Sequence, residues 1–362
     1  MDSSHNPKLR FGISLEEAKS SPFSPGIASA PPLPTVNYAL VGKQAPSLLP
    51  TPAGKLPQAS AVVMTWAEAE WAALQHVFCA GASTMSYSDR SQGTWPGWEK
   101  YAAQLPSGGP SNWTYWGYAR LVQVSGKPVL LFKSNTHLDW PGASYLEALI
   151  KLLAAEVKPA VILSIGTAGG ARTQDHIGTV RAVSAGTLYK SGVSQPGWPE
   201  YKNGWTAGNA VMGNAKFKQL LFPVPTKASD LQALCSQFNQ HYGSSYTLAQ
   251  LDPDGLNMGD VTPQIANQTG GGASLLTTST FVVGTTAGKY QTFTAIEMDD
   301  AIIGEACAGV SMPFGFVRNL SDPVQNAALP SKAQGNWGSA VYDAYGFYTS
   351  YNGALAAWAM LA

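Results

Sequence analysis

Charge is sparse in this sequence. Only 12% of its 362 residues are Asp, Glu, Lys or Arg, and 22 basic residues balance 22 acidic ones. Without a basic block, binding to a nucleic-acid backbone has no electrostatic footing. Cysteine is scarcer still. Cys79, Cys235 and Cys307 form no CxxC pair and no disulfide framework, which fits a reducing compartment. No apolar run reaches the length of a membrane helix, and the opening MDSSHNPKLRFG lacks the apolar core of a secretory signal. The expected location is therefore cytoplasmic, with no membrane partner. His5, His76, His137, His176 and His241 have no ligand spacing, and Asp252-Pro253-Asp254-Gly255 mimics a calcium loop with its glycine misplaced and no closing glutamate. No metal and no cofactor are expected. GxSxG and P-loop patterns do not occur.

Glycine, proline and tryptophan are plentiful, at 37, 25 and 11 residues, which points to long irregular connections and aromatic-lined surfaces rather than a helical bundle. Residues 1–60 are rich in Pro, Ser and Ala and read as an arm or linker, either disordered or lying on the domain or a neighbouring subunit. Residues 61–362 read as one α/β domain. Expected strands lie at Ala61–Met64, Ala160–Ile165, Ile177–Tyr189, Ser279–Gly284, Phe293–Ile296 and Met312–Arg318, with a hairpin over Leu121–Lys133 turning at Ser125-Gly126. Expected helices lie at Ala67–Cys79, Tyr145–Glu156, Asp230–Gln240 (with Ser229 as N-cap), Ala301–Gly309 and Ala340–Leu361. Trp- and Gly-rich excursions span Met85–Gly117 and Gly192–Gly213. Strands and helices in alternation, with hairpins mixed in, imply an α/β domain built on a central mixed sheet.

The chemistry concentrates in AIEMDDAIIGEACAGVSMPFGFVRNLSDP, residues 295–323, where carboxylates sit at the ends of apolar strands and ligands of α/β proteins collect. Each candidate has a plainer reading beside it. Glu297 and Asp299 suit a helix start, where acids cap and meet the dipole, or a carboxylate accepting both hydroxyls of a ribose diol. Asp322 suits an N-cap before Pro323, or an acid whose pKa is raised by apolar surroundings. Glu68 and Glu70, just past the first strand, suit a solvated helix face. Gly166-Thr167-Ala168-Gly169-Gly170 suits a tight turn needing positive φ, or a cradle for an anion or sugar hydroxyl.

Taken in order, these segments resemble the nucleoside phosphorylase/nucleosidase superfamily, and within it the methylthioadenosine/adenosylhomocysteine nucleosidase-like branch. AVVMTWAEAEWAAL, VILSIGTAGGA, IGTVRAVSAGTLY, TTSTFVV and AIEMDDAIIGEAC with PFGFVRNLSD carry the resemblance, from Ala61 to about Val324. It implies an αβα sandwich and a purine nucleosidase. Asp322 would protonate the leaving base and Glu70 would activate water. Met298 and Asp299 would bind ribose with Glu297 in support. Phe281 would stack on the base, and Thr167 and Gly169 would line the sugar or anion side. Two departures stand out: the ribose carboxylate is the shorter aspartate, and proline follows the acid.

Arg318, with Arg172 and Lys133, is a candidate for the paired cations that phosphate needs. Glu70 would repel phosphate and orient water, so a hydrolase is expected ahead of a phosphorylase. A non-catalytic nucleoside-binding or storage protein is the alternative of another class. The resemblance also implies a homo-oligomer.

Overall fold

The computed structural model describes residues 32–80, 96–172, 175–225, 227–253, 263–279, 290–322 and 326–362. Within residues 32–60, Val36, Tyr38, Val41, Leu56 and Ala59 are buried against the domain. This stretch also carries β1 (Ser47–Leu48). Then come β2 (Ala61–Thr65), α1 (Glu68–Phe78), β3 (Glu99–Tyr101), β4 (Gly117–Val124), β5 (Lys127–Ser134) and α2 (Ala143–Val157). β6 (Ile162–Gly169), β7 (Val180–Val183), β8 (Ala185–Leu188) and β9 (Glu200–Lys202) precede α3 (Ala228–Tyr242) and α4 (Leu248–Leu251). The chain ends with β10 (Ile265–Asn267), β11 (Leu275–Thr277), β12 (Ile296–Glu297), α5 (Asp300–Gly309), β13 (Phe314–Asp322) and α6 (Ser331–Leu361).

The strands form one mixed sheet along β1-β4-β5-β2-β6-β12-β11-β8-β9, with β13 joining β6 to β7, β10 beside β7, and β3 beside β4. β2, β6 and β13 run parallel at its centre and are buried along nearly their whole length because both faces are covered. On one face α1, α3 and α6 bury Trp71, Phe78, Phe238, Trp337 and Trp358. On the other, α2 offers Leu146, Leu149, Ile150, Leu153 and Val157, the i, i+3, i+4 stripe of an amphipathic helix, to Ile303 and Cys307 of α5. The result is three layers, helix-sheet-helix.

Several local expectations shift. The C-terminal helix starts at Ser331, nine residues earlier than expected, because burial of Gln334, Asn336 and Trp337 overrides the weak helix propensity of its two early glycines. Ser229 lies inside α3 rather than capping it. The expected strand Ile177–Tyr189 is two strands, and of the expected strand at 279–284 only Ser279 is described. The hairpin does turn at Ser125-Gly126, both with positive φ as a two-residue turn requires. The glycine turn at 166–170 is a correction. β6 runs straight through to Gly169, and neither Gly166 nor Gly169 has positive φ. Gly166 is needed for close approach instead: a Cβ there would fall onto Arg318 Nη1 and 2.8 Å from Glu70 Oε1.

Candidate functional site at the strand ends

β2, β5, β6 and β13 are mutually parallel through their pairings, so their C-terminal ends share one edge of the sheet. The ladder between β2 and β6 stops after Met64↔Ser164. Beyond it, one carboxylate takes over. Glu70, in the first turn of α1, accepts Trp66 N (3.0 Å) and Ala67 N (2.9 Å) on Oε2 and Thr167 N (2.7 Å) on Oε1. The hydroxyls of Thr65 (2.7 Å) and Thr167 (2.8 Å) complete the set. Burial pushes this carboxyl up, but Arg318 and the surrounding N–H and O–H donors outweigh it and hold its pKa below the ordinary range. Glu68 is exposed, as a solvated helix face would have it, whereas Glu70 is 4% exposed.

The acidic turn between β12 and α5 is a second hub. Glu297 Oε2 accepts Asp299 N (2.6 Å) and Asp300 N (2.9 Å), capping α5, while Oε1 takes the Thr277 hydroxyl. Arg318, 3% exposed, gives Nε to Asp300 (2.7 Å) and Nη2 to Ser164 (2.7 Å). Nη2 also pairs with Asp300 Oδ1 and lies 3.3 Å from Glu297. Its guanidinium stands 5.6 Å over the Trp66 ring. Arg318 therefore binds the acidic turn from inside and does not lie on the open rim. Burial, with Asp300 and Asp299 adding to it, still raises Glu297 to about 8.

Asp299 faces the loop that follows β5. Its Oδ1 accepts Leu138 N at 2.8 Å and its Oδ2 lies 3.2 Å from His137 Nε2. His137 Nδ1 is 2.9 Å from Asp139. Burial raises Asp299 to about 6, a rise opposed by His137, Leu138 N and Arg318. Burial would lower His137, but Asp299 and Asp139 raise it to about 9, so the imidazole is a cation at neutral pH.

Asp322 is the last residue of β13. It pairs with Gly169, and its carbonyl accepts Gly170 N at 3.1 Å. A methyl added at Gly169 would lie 4.0 Å from Asp322 Cβ and 3.8 Å from the Ile296 carbonyl, so the acid and the start of the acidic turn flank the same strand end. Burial raises the Asp322 carboxyl to about 7 against a 3.2 Å hydrogen bond from Ser321. Thr167, two strand positions before Gly169 and about 7 Å away, carries Glu70. Thr167, Gly169, Met298, Asp322 and His137 are all partly exposed, on an otherwise buried edge.

Glu70, Thr167, Gly169, Glu297, Met298, Asp299, Arg318 and Asp322 thus converge, while Phe281 lies outside the described residues. His137, Asp300, Ser164 and Thr277 escaped the sequence reading. Histidine spacing signals metal ligands, whereas His137 meets Asp299, a carboxylate far away in the chain. The only local sign was Asp139, two residues on.

Fold and site together define an αβα protein with a cluster of buried carboxylates at the ends of its parallel strands. No family model matches the sequence, and no curated protein sequence matches it. Among solved structures, the chain is similar to S-adenosylhomocysteine nucleosidase from Streptococcus pyogenes (14% identity, 85% of this chain and 98% of that one, TM-score 0.45). It is similar to 5'-methylthioadenosine/S-adenosylhomocysteine nucleosidase from Neisseria meningitidis (13%, 83% and 98%, 0.44). It is also similar to futalosine hydrolase of Helicobacter pylori (11%, 83% and 97%, 0.43). Likeness of this degree carries no activity with it.

Proposed function

We propose that this chain is a nucleoside N-glycosidase that hydrolyses purine nucleosides. The observation that carries the reading is Asp322: a partly enclosed carboxyl, raised to about 7, beside Gly169 and across from the acidic turn. Such a group holds a proton at neutral pH and can release it. The C1′–N bond breaks with its electron pair going to the base, and the Asp322 proton goes to a base nitrogen. The sugar becomes oxocarbenium-like, and the carboxylate of Asp299 attracts that developing charge more strongly than it attracts the neutral substrate.

Water is the nucleophile in this reading. The Thr167 hydroxyl gives its hydrogen to Glu70 at 2.8 Å, so its own oxygen keeps a lone pair that can accept from a water. Water attacking an oxocarbenium ion becomes strongly acidic as the new C–O bond forms. Its proton passes to the Thr167 oxygen while the Thr167 hydroxyl hydrogen passes to Glu70 Oε1, so Glu70 is the base through this relay. Phosphate would need forked cations. Arg318 is committed to Asp300, Ser164 and Glu297, and Arg172 Nε donates to the Phe293 carbonyl at 3.0 Å. Lys133 is lowered by burial, with Glu68 and Glu70 opposing that shift. The resemblance in sequence supports the same roles and extends to a homo-oligomer, which light scattering would test.

The deciding assay incubates the purified chain with a nucleoside panel, with and without phosphate, and identifies both products. Free base and free sugar without phosphate are expected. Ribose 1-phosphate formed only with phosphate would make the protein a phosphorylase, and no base from any nucleoside would make it a binding protein. Asp322→Asn should lower base release about 10²- to 10⁴-fold.

A further inference from the structure

We propose that His137 is a positioning residue of this site: clamped as a cation between Asp139 and Asp299, it keeps Asp299 ionised and aimed at the sugar. The inference rests on the nucleosidase reading for its catalytic consequence, though not for the clamp itself. The geometry is specific. One imidazole has its two ring nitrogens against two different carboxylates, 2.9 Å from Asp139 and 3.2 Å from Asp299. The second oxygen of Asp299 is fixed by the backbone N–H of the next residue, Leu138, at 2.8 Å. Both tethers come from the loop after β5, so the carboxylate is gripped by one loop on one side. Each Asp299 oxygen retains acceptor capacity for a hydroxyl.

Aspartate has one methylene fewer than glutamate, which shortens its reach and leaves it nearer the buried wall. A carboxylate so placed is driven toward the neutral form unless a cation is beside it. Arg318, the other cation in reach, already serves Asp300 and Glu297 on the far side. The groups that set the charge of Asp299 are therefore His137 and Asp139 from the β5–α2 loop and Arg318 from β13, and those acting on His137 are Asp299, Asp139 and Glu297. The His137 side chain keeps 30% of its surface open, so it is reachable from solvent instead of being sealed in the core.

Two measurements test this independently. The first is a pH titration of the His137 ring by ¹⁵N NMR, which requires no activity. The wild-type ring is expected to remain an imidazolium at pH 8, and Asp299→Asn should move its titration downward by about one pH unit or more. A His137 that titrates near 6.5 in both proteins overturns the clamp.

The second is the pH–rate profile of nucleoside hydrolysis by His137→Gln and His137→Gly. Glutamine can hydrogen-bond but carries no charge, so the acid limb should shift up by about one unit, roughly a tenfold loss at the acid end. Added imidazole should restore the His137→Gly rate. A uniform loss at all pH values with no rescue would reduce His137 to a packing residue. A wild-type chain that releases no base would sink the nucleosidase reading while the NMR result still judged the clamp.

Discussion

Ser321→Ala offers a sharp test of Asp322 as the acid. The Ser321 hydroxyl donates to Asp322 Oδ1 at 3.2 Å and opposes the burial that raises this carboxyl to about 7. An ordinary aspartate, with a pKa of about 3.9, would be protonated about once in a thousand molecules at pH 7. Asp322 is protonated in about half, and that excess is what makes it an acid at neutral pH. Deleting the hydroxyl removes a hydrogen bond to the charged form, worth about 1 kcal/mol, or somewhat under one pH unit.

The assay is the initial rate of base release from pH 5 to 9 at subsaturating nucleoside. In the wild type the rate should fall about tenfold per unit above about 7, as Asp322 loses its proton. It should also fall below about 6, as Asp299 gains one, leaving a narrow maximum between. In Ser321→Ala the alkaline limb should move upward by about half a unit or more while the acid limb stays. An alkaline limb that does not move, or that survives in Asp322→Asn, would mean that another group delivers the proton.

Three further outcomes follow from the same contacts. Folded-state pKa values are raised for Glu297, Asp299, Asp322 and His137, so the folded chain binds more protons than the unfolded one. The melting temperature should therefore fall as pH rises from about 5 to about 9, in calorimetry at fixed ionic strength. Gly166→Ala would drive a methyl onto Arg318 Nη1 and against Glu70 Oε1. A loss of about 1–3 kcal/mol in urea unfolding is expected, and an unchanged midpoint would refute the close approach. Arg318→Met strands Asp300 and Glu297 without their cation and should cost about 3–5 kcal/mol, part of which Asp300→Leu should recover in the double variant.

Much of the fold was legible because it rests on local pattern. The apolar runs of β2, β6 and β13, the stripe of α2 and the Ser125-Gly126 turn are each written in a short window. The layered α/β class follows from their alternation, and AIEMDDAIIG and RNLSD pick out the segments that carry the carboxylates. Those residues determine which acids exist and roughly where the chain turns. They leave open what each acid does, because a helix cap and a ligand carboxylate look alike in one dimension.

That choice belongs to contacts between distant segments. Glu70 became the continuation of a β-ladder only because β6 brings Thr167 against the start of α1. Glu297 became a cap and Arg318 an internal counter-ion because β13 lies beside β6 and below α5. His137 joined the site because the β5–α2 loop meets the acidic turn 162 residues later at Asp299. The pKa of every one of these groups is set by burial and by neighbours from other elements, and neither burial nor a remote neighbour is a property of a stretch of sequence.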